Sequence, residues 1–169
     1  MLRSIHSFIG YSLRATDGEF GSVDDMLFDD KLWSTAYLMA RIGGFFGGKK
    51  VLLPPTTLGR PDGRSKVFPV AYSREQISQC PAIDAIRTAG LRSAGSFIGE
   101  DDPHVRSSEE IIHSHAREID GKLCHVRDII VDDLAWAVRY LVVDASGGRR
   151  RRTAMISPFR ILEIIPAKE

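Results

Sequence analysis

The sequence predicts a mainly β protein: two small antiparallel β-barrels in tandem, joined by a short helical linker. Three observations lead there. Residues 2–55, moved forward by 103 positions, lie on residues 105–158 without a gap, and 15 of the 54 pairs are identical. Along both stretches, short apolar segments alternate with turn residues, roughly five or six strands in about 75 residues, the pattern of a small closed barrel. Between the copies stands a helix-start signal. A segment of this length that recurs once is a duplicated domain, since a solenoid unit would recur several times at shorter period. The expected division is a first barrel over 1–76, a helical or irregular linker over 77–103 and a second barrel over 104–169. Each copy is small enough for its core to be marginal alone, so packing between copies or between chains is expected to help.

Each barrel opens on a hairpin. Asp17-Gly18 and Asp120-Gly121 are Asp-Gly pairs between apolar segments, a strong short-range turn signal. Phe20, Val23, Met26, Leu27 and Phe28 then form a strand, with a bend near Val23 where the alternation lapses. Asp29-Asp30-Lys31-Leu32 and Asp132-Asp133-Leu134-Ala135 make a second turn, in which the aspartates accept backbone N–H groups two residues on. Trp136 to Asp144 is rich in β-branched and aromatic residues and reads as a strand. Its counterpart, Trp33 to Arg41, tolerates a helix by composition and takes its strand assignment from the repeat. A Gly-rich loop follows, then Val51-Leu52-Leu53 or Ala154-Met155-Ile156, closed by Pro55 or Pro158. Val67 to Tyr72 and Ile161 to Ile165 supply the last strands, and an extra polar loop, Thr56 to Lys66, belongs to the first copy alone. Barrel closure removes the unpaired edges of so compact a sheet. The cores are expected to take up Trp33, Tyr37, Leu52, Trp136, Tyr140, Val142 and Ile156 in part, on alternate faces. Ser73 with Gln76 three residues later has capping-box spacing and predicts a short helix. Ser107 to Ile112 predicts another helical turn, and Ile83 to Leu91 a third.

The composition is ordinary for a soluble globular protein: 43% apolar and 27% charged residues, with a formal net charge of +1. A nucleic-acid or membrane role would therefore have to rest on local patches. The N-terminal stretch has no continuous apolar run, which predicts neither a signal peptide nor a membrane span and leaves a cytoplasmic location. Cys80 and Cys124 occupy non-equivalent places and read as reduced, packed thiols.

No catalytic, cofactor or metal residues are assigned. Asp24, Asp25, Asp29 and Asp30 would suit a hard cation, but their spacing fits no EF-hand loop and position 24 becomes Arg127 in the second copy. His113-Ser114-His115 would put two imidazoles on one face of a strand, with His104, His125 or Cys124 as further ligands. Gly10 and Ser12 stand there in the first copy, so the feature does not predate the duplication. A nucleophile elbow, a Cys/His pair in a recognisable context and a phosphate-binding glycine loop after a strand are all missing from the sequence. Two equivalent loops remain as interaction candidates. Phe45 and Phe46, with Lys49 and Lys50 behind them, place aromatics at a Gly-rich tip, where burial against another surface is favoured. Arg149, Arg150, Arg151 and Arg152 form a run able to engage phosphates without reading sequence.

The repeated string resembles the PRC-barrel family. The second copy carries it from Ile119-Asp120-Gly121 through Ile130-Val131-Asp132-Asp133 and Trp136 to Arg139-Tyr140-Leu141-Val142-Val143-Asp144 and Ser157-Pro158. The first copy matches at Ala15-Thr16-Asp17-Gly18, Val23-Asp24-Asp25, Leu27-Phe28-Asp29-Asp30 and Val51-Leu52-Leu53-Pro54-Pro55, and departs at Ala36-Tyr37-Leu38-Met39-Ala40. The matches reach nearly the whole chain apart from 81–104. The resemblance implies a six-stranded barrel used for binding and assembly, related to the cytoplasmic part of the photosynthetic reaction-centre H subunit and to the C-terminal domain of a ribosome-maturation factor. The expected function is non-enzymatic: a protein-interaction or assembly module that binds a protein partner or a second copy of itself. An RNA- or ribosome-associated factor using Arg149 to Arg152, and a membrane-peripheral module resting on Phe45 and Phe46, are the alternatives.

Overall fold

The computed structural model describes residues 1–43, 48–83, 104–145 and 152–166. The chain is mainly β, as expected. Its strands are β1 (Leu2–Ser4), β2 (Ser12–Ala15), β3 (Gly18–Asp29), β4 (Ser34–Ile42), β5 (Lys49–Leu53) and β6 (Val67–Pro69), followed by β7 (Val105–Ser107), β8 (His115–Glu118), β9 (Leu123–Asp132), β10 (Ala137–Ala145), β11 (Arg152–Ile156) and β12 (Ile161–Ile165). Two short helices, α1 (Arg74–Gln79) and α2 (Ser108–Ile112), carry complete capping boxes built by Ser73 with Gln76 and by Ser107 with Glu110. The helical turn expected at Ile83 to Leu91 lies almost wholly outside the described residues.

The twelve strands of the described residues belong to one sheet with the path β12-β8-β9-β10-β4-β3-β2-β6, from which β1, β5, β7 and β11 branch. Among the described residues this path is open rather than closed on itself. It is also mixed, because β6 runs parallel to β2. The last strand of the first half is thus shorter than the expected Val67 to Tyr72, and its direction has a cause in the extra loop. Residues after Leu58 turn back, with Asp62 bridging Val67 and Leu58 bridging Val70. The returning limb takes the edge of β2, whereas β12 takes the edge of β8 directly and antiparallel.

Local geometry recurs at the 103-residue offset. The register of β4 on β5, with Leu38 opposite Leu53 and Met39 opposite Leu52, is repeated by β10 on β11, with Leu141 opposite Ile156 and Val142 opposite Met155. Asp29 Oδ1 accepts the N–H groups of Lys31 and Leu32 at 2.8 Å, and Asp132 Oδ1 that of Leu134 at 3.0 Å, the turn chemistry read from the sequence. Trp33 and Trp136 close these turns at φ 52° and 50°, a left-handed backbone unusual for so bulky a residue. Pairing also skips one residue in each long strand. The register of β3 on β4 shifts between Val23 and Asp25, where the bend was expected, and that of β9 on β10 at Arg127. The skipped residues, Asp24 and Arg127, bind Arg41 and Asp144 respectively, so the same ion pair is present with its charges reversed.

The two halves interlock. β1 pairs with β9 and β7 with β3, each strand crossing the division expected between 76 and 104. Behind these exchanged strands, Arg3 Nε donates to Asp133 at 2.8 Å and Arg106 Nε to Asp30 at 2.6 Å. The seam is closed by Val138 N–H to the Trp33 carbonyl at 2.7 Å and Thr35 N–H to the Trp136 carbonyl at 2.8 Å. Trp136 stacks on Phe68 at 5.3 Å and meets Phe8 edge-on at 6.0 Å, both in the other half. One hydrophobic cluster accordingly runs through both halves and contains both tryptophans. Leu52, by contrast, belongs to a second, smaller cluster on the opposite face of the sheet, with Leu27 and Met39.

Candidate interaction face

That second cluster is covered in the first half, and its counterpart in the second half is not covered by any described residue. In the first half, Leu27, Met39 and Leu52 lie on three adjacent strands and face away from the main core. They are covered by Ala36 and Tyr37, by Val105 of the exchanged β7, and by Ile83. Ile83 gets there because the chain leaving α1 runs along β5 through Pro81 and Ala82, after which Ile83 is helical. Leu52 N–H donates to the Pro81 carbonyl at 2.9 Å, and Ala82 forms an antiparallel bridge with Val51. The free edge of β5 is paired and its outer face roofed by the same three residues.

The same positions in the second half are Ile130, Val142 and Met155, with Tyr140 for Tyr37 and Leu2 of the exchanged β1 for Val105. No described residue takes the place of Pro81 to Ile83. Leu52 is 1% exposed and its counterpart Met155 66%, while Tyr140 and Leu2 are exposed and Ile130 and Val142 half-buried. Among the described residues β11 pairs only with β10. Its sequence, Arg-Thr-Ala-Met-Ile, has no proline and no lysine, residues by which natural edge strands discourage pairing. Tyr140 and Val142, expected in the core in part and on alternate faces, both point to this outer face, because the register of β10 turns Leu141 and Val143 inward.

The loop candidates fare differently. Phe45, Phe46, Arg149, Arg150 and Arg151 lie outside the described residues. Lys49 and Lys50 stand in β5 rather than at a loop tip, and both are held by the chain itself. Lys49 Nζ donates to the Ser78 carbonyl at 3.0 Å and Lys50 Nζ pairs with Asp24 at 2.8 Å. Arg152 is exposed at the start of β11, on the uncovered face's own edge.

A cleft of about 320 Å³ lies where the first half's turn meets β12, lined by Asp30, Lys31, Trp33, His104, Arg106 and residues 161–164. Asp30 is bound there by Arg106 and by His104 Nδ1 at 2.9 Å. Its counterpart Asp133, with a fully buried side chain, receives the Met1 amine at 2.8 Å, Arg3 at 2.8 Å and Arg60 at 3.4 Å. Burial pushes the Asp133 carboxyl up, but the N-terminal amine, Arg3 and Arg60 together hold it below the usual carboxylate range. The second aspartate of each pair stands in the turn, as read from the sequence, but its carboxylate anchors the exchanged strand instead of accepting turn N–H groups, a role that local sequence does not signal.

Two further groups complete the chemistry. His113 ends α2, with Nδ1 at 2.8 Å from the Glu109 carbonyl, and does not share a strand face with His115. His115 instead faces His125 across β8 and β9, ring centroids 5.1 Å apart. No group of three or more metal-ligating side chains occurs among the described residues. Cys80 and Cys124 are buried free thiols; burial raises both, aided at Cys124 by its hydrogen bond to Glu118. Thiols so shifted are poor nucleophiles. Among the described residues no helix is long and apolar enough to cross a membrane. No family model matches the chain, and no curated protein matches it.

Proposed function

We propose that the protein is a non-enzymatic interaction and assembly module, built from two copies of a small barrel of the PRC type and binding a protein through the outer face of its second half. The observation that carries this reading is the contrast between Leu52, 1% exposed, and Met155, 66% exposed, at equivalent places in one register. Apolar side chains left on a sheet face beside an unpaired edge strand favour association. The first half meets the same need internally, so the second half is the receiving side. The partner is another protein or a second copy of the chain.

The test uses the wild type and the Tyr140→Ser/Met155→Glu variant, both checked for an unchanged circular dichroism spectrum. Light scattering over a wide concentration range reads self-association, and quantitative affinity capture from the source cells reads other partners. A second chain or a partner bound by the wild type and lost by the variant supports the proposal. Identical mass and identical capture profiles for the two proteins reject it.

A further inference from the structure

We infer that the second-half face binds its partner by strand addition: an extended segment pairs antiparallel with the edge of β11 that no described residue pairs, and lays an aliphatic side chain on Tyr140, Val142 and Met155. This rests on the reading of that face as a binding surface, and it adds the mode of binding and the chemistry of the segment.

The first half supplies the template. Its β5 edge is already occupied in this way by Pro81 and Ala82, with Ile83, in helical conformation, set over the face, and the contact has three parts. The Pro81 carbonyl accepts the outward N–H of Leu52 at 2.9 Å, Ala82 bridges Val51 antiparallel, and Ile83 packs on Leu27, Met39 and Leu52. Because β10 and β11 repeat the register of β4 and β5, the N–H that corresponds to Leu52 is that of Met155, directed away from β10. Transferring the bridge by 103 residues sets an incoming small residue opposite Ala154 and the residue before it at the Met155 N–H; the residue after it, helical in the template, turns over the apolar patch.

The template also fixes composition. A proline at the first position is tolerated because only its carbonyl is used, and it holds the segment extended. The second residue must be small, since it sits at the bridge. The third is aliphatic, to cover the apolar patch. The expected partner segment therefore reads proline, small, aliphatic. Main-chain hydrogen bonds then provide affinity and alternate side chains specificity, the division of labour in strand-addition complexes.

The probe is the chain's own sequence from Gln79 to Asp84 as a synthetic peptide, with serine in place of Cys80. It is titrated into the intact ¹⁵N-labelled protein, with amide hydrogen exchange as a second readout. Shifts concentrated on Thr153, Ala154, Met155, Ile156 and Tyr140, with at least tenfold slower exchange of the Met155 amide at saturation, are expected. The same peptide with Ile83→Lys should bind at least fivefold more weakly. Shifts on these residues without slower exchange at Met155 would overturn strand addition and leave a face that binds through side chains alone. Shifts confined to Lys50, Val51 and Leu52 would show the peptide displacing its native copy, and would overturn the assignment to β11. Partner capture insensitive to Tyr140→Ser/Met155→Glu would instead remove the face itself, a failure that the peptide experiment does not imitate.

Discussion

Trp136 offers a substitution whose two smallest replacements should fall in an unusual order. Its side chain is buried at 5% exposure, stacked on Phe68 and edge-on to Phe8 across the seam. Removing it costs about 3–5 kcal/mol, the range for large aromatic truncations. Alanine and glycine both incur that loss and differ in the backbone. At φ 50° a residue with a Cβ carries about 1–2 kcal/mol of left-handed strain, which glycine does not. Against this, glycine gives up about 0.5–1 kcal/mol through the greater freedom of its unfolded chain. The difference leaves Trp136→Gly more stable than Trp136→Ala by about 0.5–1 kcal/mol, the reverse of the order in an ordinary strand.

Equilibrium urea unfolding followed by far-ultraviolet circular dichroism reads both effects. The pair Trp33→Gly and Trp33→Ala, at φ 52°, repeats the test in the other half. Since Trp136 bridges the halves, each variant should still unfold in one transition shifted as a whole. An alanine variant more stable than the glycine variant, at both positions, would refute the strain argument. A loss below about 1 kcal/mol for either replacement of Trp136 would refute its placement in the shared core.

Other consequences are more local. Arg127→Asp sets two carboxylates together with Asp144 and should lower the urea midpoint; Arg127→Asp/Asp144→Arg recreates the polarity of Asp24 with Arg41 and should restore it. Asp133→Asn leaves Arg3, Arg60 and the Met1 amine around a neutral group and should cost about 2–4 kcal/mol, read by urea unfolding at pH 7. As the Asp133 carboxyl lies below its ordinary value, its contribution is present above the usual carboxylate range and fades as pH falls through the folded-state value. The wild-type advantage over Asp133→Asn should therefore shrink in acid. Asp25 behaves oppositely, because burial raises it even though Ser108 and the Met26 N–H both donate to it. The folded protein holds that proton longer than the unfolded chain, so the group weakens stability as pH rises from the ordinary carboxylate value to the folded-state one. Asp25→Asn, whose amide oxygen still accepts both bonds, should gain on the wild type across that window in thermal melts. Residues 104–169 alone should lack a cooperative transition, since β9 loses β1, Asp133 its cations and Trp136 both of its aromatic partners.

Local chemistry was legible and long-range pairing was not. Asp29 and Asp132 accept turn N–H groups as their type and position imply, and Ser73 and Ser107 cap helices as their spacing implies, because each interaction closes within four residues. The strand exchange rests on Leu2–Ser4 and Val105–Ser107, three-residue segments too short to show any period. The parallel β6 depends on where the Thr56 to Lys66 loop returns, which no residue in it announces. For the site, loop composition drew attention to Lys49 and Lys50, whose charges are met by Ser78 and Asp24 within the chain. The better signal lay in the repeat itself. Pro81-Ala82-Ile83 follows the first copy, and the face it covers recurs as Tyr140, Val142 and Met155.

The reversed ion pair and the uncovered face together bear on how the halves came to differ. Exchanging Asp24 and Arg41 for Arg127 and Asp144 conserves a contact while changing both of its members, so the bulge it braces has mattered in each half. Where such a constraint holds, the halves remain superposable in register. Where one half differs without compensation, at Leu52 against Met155, nothing inside the described chain restores the lost burial. A wholly internal role for the second face would favour a charged residue at Met155, as edge strands commonly carry. A methionine there, flexible and able to fit varied apolar surfaces, is the choice expected of a surface that is covered part of the time by something else.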